Sequence, residues 1–133
     1  MRFFLDNCLP PCIARALDEL VKDKHNVIHL RDRFPADIKD PQWIGELAKE
    51  GGWIIISADT RIPKNPQNKD AWLQSGLTAF FLKKRWTNLK LWDQAWRIVR
   101  RWPDIMAISE RVGGGGYWVP EGSSSKLEQL RIK

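Results

Sequence analysis

Apolar and polar positions alternate in blocks along the first half of the chain. Arg2–Leu5 (RFFL) is a short apolar run that stops at Asp6 and Asn7, which predicts a buried strand. Ile13, Ala16, Leu17, Leu20 and Val21 then recur at helical spacing behind Pro10-Pro11, and proline suits a helix's first turn. Asn26 breaks that pattern, and Val27–Leu30 predicts a second strand. Residues 31–39 (RDRFPADIK) are polar and carry a proline, so they are expected to be loop. Pro41 opens a second helix with Trp43, Ile44, Leu47 and Ala48 on one face, and Asp40 stands before it in the place of an N-cap. Gly51-Gly52 closes the helix, and Trp53–Ile56 (WIII) is a third buried strand. Strand, helix, strand, helix, strand implies βαβ units and a parallel sheet covered on both faces.

The second half is less regular. Residues 60–70 (TRIPKNPQNKD) read as an extended polar loop, and Leu77–Leu82 (LTAFFL) as a fourth strand. Leu89, Trp92, Trp96 and Val99 mark a helix whose apolar face they would form, capped by Thr87 and stopped by Pro103. Ile105–Ile108 is a candidate fifth strand. Gly113–Gly116 reads as a turn or hinge, because it lacks the spacing of a phosphate loop and does not lie between a strand and a helix. The expected organisation is one α/β domain over residues 1–112, followed by a Gly/Ser-rich tail, 113–133, that packs on it.

With 133 residues the chain has room for one core and needs no disulfide staple. Cys8 and Cys12, the only cysteines, are expected to be reduced thiols in or near that core. No apolar run is long enough to span a membrane, and the acid at position 6 is unlike a signal peptide, so the expected compartment is the cytoplasm. The net charge of +6 is unevenly spread. Residues 1–62 carry 9 Lys+Arg against 10 Asp+Glu, and residues 63–133 carry 13 against 6. Clustered acids beside a basic half suit a protein that holds cations in one place and a polyanion next to them.

In a parallel α/β sheet the residues that do chemistry gather beyond the carboxyl ends of the strands. Asp6 follows the first strand, Asp59 follows the third, and Asp40 stands at the entry of the helix that leads into the third. All three are expected at one edge of the sheet. Carboxylates that crowd together raise one another's pKa, and a hard divalent cation, Mg2+ or Mn2+, relieves that repulsion through oxygen ligands.

Residues 1–16 (MRFFLDNCLPPCIARA) resemble the opening of the small PIN-like proteins, whose first strand ends in Asp, a short polar residue, Leu and Pro. Residues 40–59 (DPQWIGELAKEGGWIIISAD) resemble the stretch in which an acid heads an Ala-rich helix and Ser/Thr-x-Asp follows the next strand. The resemblance covers roughly residues 1–62. It implies a three-layer α/β/α fold with a mainly parallel sheet and a metal-dependent endoribonuclease, often the toxin of a type II toxin–antitoxin pair. Carried across, it implies Asp6, Asp40 and Asp59 as metal-binding and catalytic acids. Asn7 is then the polar neighbour of the first acid, and Ser57 supplies the hydroxyl that steadies the last. Many members have a further glutamate between the first acid and the late pair. None is obviously placed here, and Asp32, Asp37 or Glu46 could take that role.

Residues 83–102 hold seven Lys+Arg, one acid and four of the eight tryptophans. Basic residues position phosphates and exposed aromatics stack on bases. Trp92 and Trp96 are expected in the core, while Arg97, Arg100 and Arg101 are expected to face solvent. Arg100 and Arg101 are thus candidate RNA contacts, and Arg61 and Lys64, close behind Asp59, are candidates for substrate phosphate. His25 and His29 are expected to be packing residues. Expected partners are RNA, an antitoxin protein and a second copy of the chain. Two other readings use the same elements: a phospho-receiver, which wants an acid pair after the first strand and a Lys after the fifth, and a binding module whose acids are only caps.

Overall fold

A computed structural model describes residues 1–122 and 125–131; Ser123, Ser124, Ile132 and Lys133 of the expected tail lie outside the described residues. Phe3, Phe4 and Leu5 of β1 (Arg2–Leu5) are wholly buried, and their alternation serves both faces of a sheet. Phe3 and Leu5 join one apolar cluster and Phe4 joins the other. β3 (Trp53–Ser57) repeats the pattern, with Ile54 and Ile56 on the first side and Trp53 and Ile55 on the second. A strand buried on both faces reads as a continuous apolar run, which is why RFFL and WIII stand out in the sequence.

The sheet has six strands in the order β2-β1-β3-β4-β5-β6. β2 is Asn26–His29, β4 is Thr78–Leu82, β5 is Gly116–Val119 and β6 is Glu128–Gln129. The first five are parallel, and β6 runs antiparallel to β5. Helices α1 (Pro11–Val21) and α5 (Leu91–Arg111) cover one face through Ile13, Leu17, Ile98, Trp102 and Ile105. Helices α2 (Asp40–Glu50) and α4 (Pro66–Ser75) cover the other through Trp43, Ile44, Leu47 and Trp72. This is the expected three-layer α/β/α arrangement. Because β1 is followed in space by β2 on one side and β3 on the other, the chain reverses direction across the sheet between β1 and β3. A crevice opens at such a reversal, beyond the carboxyl ends of the strands.

Several expectations need correction. Residues 60–70 are not an extended loop. A short helix α3 (Arg61–Lys64) is followed by α4, which begins at Pro66 with Asn65 as N-cap accepting from the backbone of Gln67 and Asn68. Polar composition hid the helix because only Trp72 of its residues is fully buried. The segment after β2 makes a 3-10 turn, Leu30–Asp32, before the loop. In α1, Ala14 is buried while Ala16 and Leu20 are exposed.

The largest departure is α5. Thr87 lies in a 3-10 turn, Lys84–Asn88, the helix starts at Leu91, and it runs through Pro103 to Arg111 without a strand at 105–108. Proline removes one helical hydrogen bond, the one to the carbonyl of Val99, which lies on a 40% exposed residue. The face that packs is Ile98, Trp102 and Ile105, with Trp102 against Phe3 at 4.9 Å between ring centroids. Trp92 and Trp96, expected in the core, are 82% and 48% exposed. Arg101, expected in solvent, is 3% exposed. Its guanidinium donates to the Gly122 carbonyl, and Arg97 donates to the Glu121 carbonyl at 2.7 Å. The two arginines thus hold the turn that follows β5. That strand comes from the Gly-rich segment itself. A side chain at Gly116 would meet the Trp72 ring at 2.7 Å, so glycine is what lets α4 lie against β5.

The packing face of α5 can be checked by truncation. Trp102→Ala should destabilise the protein by about 3–5 kcal/mol in urea unfolding, as loss of a buried aromatic does. Trp92→Ala should stay within about 0.5 kcal/mol of wild type. A larger cost at Trp92 than at Trp102 would place the helix in the orientation expected from its sequence.

Candidate active site

Asp6 leaves β1 with its backbone still bonded to β3, donating to the Ile56 carbonyl at 3.2 Å. Its side chain is 4% exposed. One carboxylate oxygen accepts from the Cys8 backbone at 3.0 Å, and the other accepts from the Ser57 hydroxyl. The same Ser57 oxygen accepts from the Asp59 backbone at 2.9 Å. Ser57 is the last residue of β3, directly beside the end of β1, so one buried hydroxyl ties the first acid to the loop that carries the last. The hydroxyl expected to steady Asp59 therefore also holds Asp6.

Asp59 is bound by Arg61 on both oxygens, at 2.9 Å from Nε and 2.8 Å from the terminal nitrogen, and from the Arg61 backbone at 2.9 Å. Asp40 is the first residue of α2 and not its cap. Lys39 holds the N-cap position, and the Asp40 carboxylate accepts from Trp43 Nε1 at 3.0 Å and from Asn68 Nδ2 at 3.2 Å. Those two bonds, one to its own helix and one to α4, aim the carboxylate out of the helix and toward Asp59.

A cavity of about 710 Å3 is lined by Asp6, Asp40 and Asp59 together. Asn7 also lines it, with its amide donating to the Ala36 carbonyl and accepting from Arg31. Of the three acids that could take the further role, Asp37 lines the cavity. Asp32 accepts from the His29 backbone, and exposed Glu46 pairs with Lys49. Arg61 lines the cavity, whereas Lys64 lines a neighbouring cleft. Arg100 and Arg101 lie on α5, on the other face of the sheet, and Arg101 is buried. His29 is buried with Nε2 at 2.6 Å from the Leu9 carbonyl, and His25 meets the N-terminal amine at 2.8 Å; both are packing residues.

Electrostatics follow from this packing. Burial pushes the Asp6 carboxyl up to about 6, against the lowering effect of Ser57 and the Cys8 backbone. Burial also raises Asp40, helped by the facing Asp59 and opposed by Trp43. Burial acts the same way on Asp59, but the Arg61 hydrogen bonds outweigh it and hold that carboxyl below its usual range. Of this facing pair, Asp40 is therefore the harder to ionise and Asp59 the easier. The Cys8 thiol is pushed up by burial and by Asp6 and Asp59, so it stays protonated and is no thiolate nucleophile. Cys12 is exposed and both thiols are free.

The three acids at the cavity offer oxygen donors, which suit a hard divalent ion. Each Asp6 oxygen accepts one hydrogen bond and keeps acceptor capacity, and Asp40 and Asp59 already face each other. Among the described residues no group of three or more His, Cys, Asp or Glu stands close enough to hold a metal ion as the side chains are now turned. The fit is thus one of chemistry and position, with Arg61 now making the hydrogen bonds that a cation on Asp59 would replace. The roles of Asn68 and Trp43 are not legible in the sequence, because hydrogen bonds from an amide on an adjacent helix and from an indole one turn on belong to no catalytic spacing motif.

A family model described as a PIN-like domain matches residues 1–84. That span is more than half the chain, runs through β4, and contains all three acids. No curated protein and no solved structure matches the chain.

The raised pKa of Asp6 sets a pH dependence. Its native value lies above the unfolded one, so between about pH 4 and pH 6 the native state holds the extra proton and stability falls as pH rises. Asp6→Asn should remove that slope. By neutral pH the variant should gain up to about 3 kcal/mol relative to wild type, measured without metal by urea unfolding. A wild-type stability that is flat across this window would mean that Asp6 is not strained by its burial.

Proposed function

The chain belongs to the PIN-like domain family, and we propose that it is a divalent-metal-dependent endoribonuclease that hydrolyses RNA phosphodiester bonds at the Asp6–Asp40–Asp59 cavity. The family is nuclease-type. The observation that carries the reading is the buried Ser57 hydroxyl joining Asp6 to the Asp59 loop while Asp40 faces Asp59 from α2. A set of acids used only as caps would each bond backbone at its own helix, and Asp40 does not.

Asp40 and Asp59, with Asp6 behind them, would hold Mg2+ or Mn2+, and such an ion supplies an activated water and stabilises charge on the scissile phosphate. Everything else falls to the chain's own residues. Ser57 and the Cys8 backbone fix the Asp6 carboxylate, so its orientation is set before substrate arrives. Asn68 and Trp43 do the same for Asp40. The Arg61 side chain is 76% exposed and close behind Asp59, so its guanidinium can turn from the carboxylate to a phosphate at little cost. We attach to the protein the cellular role of toxin in a toxin–antitoxin pair, supported by the likeness of its first 62 residues to small toxin-type members. An antitoxin would then be its protein partner. The receiver reading is disfavoured: β5 is followed by Pro120-Glu121, with no lysine there.

Turnover on a short fluorescent RNA in Mn2+ tests the reading. Asp40→Asn and Asp59→Asn should each lose more than the about 10–100-fold that a lost supporting partner costs, and Ser57→Ala should fall within that supporting range. Cleavage by all of these variants at the wild-type rate would overturn the nuclease assignment.

A further inference from the structure

Beside the acidic cavity lies a second cleft, of about 620 Å3, lined by Thr60, Lys64, Lys83, Lys84 and Arg85 and walled by Trp118. Thr60 is the residue after Asp59, so the two sites meet at one loop. The strand register makes the same point. Ser57 of β3 pairs with Phe81 of β4, so two residues further on Asp59 and Lys83 leave neighbouring strands at the same height. Adjacent strands lie about 5 Å apart. Lys83 is fixed there, because its backbone donates to the Val119 carbonyl of β5 at 3.0 Å.

The cleft is basic and its own acids hold it loosely. Among the described residues that line it, Lys64, Lys83, Lys84 and Arg85 face two acids, Glu121 and Glu128. The ion pairs Lys83–Glu128 and Arg85–Glu121 are both 3.7 Å long. Exposed pairs of that kind are weak and screened by salt. Phosphates can displace such partners, whereas the half-buried Arg97 and the buried Arg101 are already committed to backbone carbonyls. Trp118 is half-buried, tilted against Phe81 at 5.9 Å between centroids, and offers an aromatic surface at the cleft wall.

We propose that this cleft binds the phosphodiester backbone of a single-stranded nucleic acid and leads it to Asp59, with Lys83, Lys84 and Arg85 as the principal phosphate contacts and Trp118 as a stacking surface for a base. The proposal rests on the nuclease reading only for the site to which the strand is led. It replaces Arg100 and Arg101 of α5, the second of them buried, as the expected substrate-binding residues.

Binding of a labelled oligo(U) and a labelled oligo(dT) can be followed by fluorescence anisotropy in EDTA, which keeps the probes intact. The triple variant Lys83→Gln/Lys84→Gln/Arg85→Gln should weaken binding at low salt at least tenfold. Its slope of log K against log salt should be shallower by about 2, since each lost phosphate contact removes about 0.7 on single strands. Glu128→Gln should tighten binding, because it removes the acid that competes for Lys83, and Arg100→Gln should leave it within twofold. Equal binding of both probes supports the cleft as a reader of phosphodiesters in general, and preference for oligo(U) supports it with discrimination at the 2′-hydroxyl. An unchanged slope in the triple variant, or a poly-glutamate peptide bound where neither oligonucleotide is, overturns the proposal. Intact cleft binding without metal-dependent cleavage would overturn the nuclease reading and leave the cleft standing.

Discussion

Negative charge cannot be gathered at the edge of an apolar sheet unless something nearby answers it. Asp6, Asp40 and Asp59 share one cavity, and each is held by a donor that the fold supplies: Ser57 and the Cys8 backbone, Trp43 and Asn68, and Arg61. Where the donor is a neutral group in a buried setting, the carboxyl is pushed up, as at Asp6 and Asp40. Where it is an exposed guanidinium, the carboxyl is held down, as at Asp59. The site thus keeps one ionised acid beside two that give up their protons reluctantly. A divalent cation would favour the ionised form of all three.

The arrangement depends on β1 and β3 being neighbours. Phe3, Phe4 and Leu5 pair with Ile54, Ile55 and Ile56, which brings Asp6 and Ser57 to one level. The apolar cluster on one face of the sheet then fixes both helices that carry Asp40 and Asn68. On the far side, β4 and β5 bring the basic cleft to the same edge, and Arg97 and Arg101 secure the turn after β5 that forms its rim. Acidic and basic regions therefore sit at adjacent strand ends, which is the asymmetry first visible in the charge of the two halves of the chain.

Much of this was legible in the sequence, and the failures have physical causes. RFFL and WIII are buried on both faces, and such runs announce themselves without periodicity. The positions of Asp6 and Asp59 follow from those strands alone. Helix α4 is hard to see in the sequence because its residues are mostly polar and only Trp72 among them is buried. The orientation of α5 is not legible in the sequence: Trp92 and Trp96 are large and apolar, yet hydrophobicity does not say which side of a helix a sheet will cover. Ile98, Trp102 and Ile105 also keep helical spacing, and they won because α5 continues through Pro103 and packs along its whole length. The burial of Arg101 is hidden in the sequence because its carbonyl partner lies 21 residues on, in a segment with no pattern of its own. The place of Asp40 before Pro41 is that of a cap, but the chain enters the helix one residue earlier, and its carboxylate bonds Trp43 and Asn68 at the cavity instead.

The central claim is that these acids form one divalent-ion site. Thermal melting at neutral pH, with and without millimolar Mn2+, of wild type and of the Asp40→Asn/Asp59→Asn double variant tests it without relying on any substrate. An ion that binds only the folded state stabilises it by about 2.7 kcal/mol at a hundredfold excess over Kd, which raises the melting temperature by several degrees. The account predicts that shift in wild type and none in the double variant. No shift in wild type, or the same shift in both proteins, would contradict it.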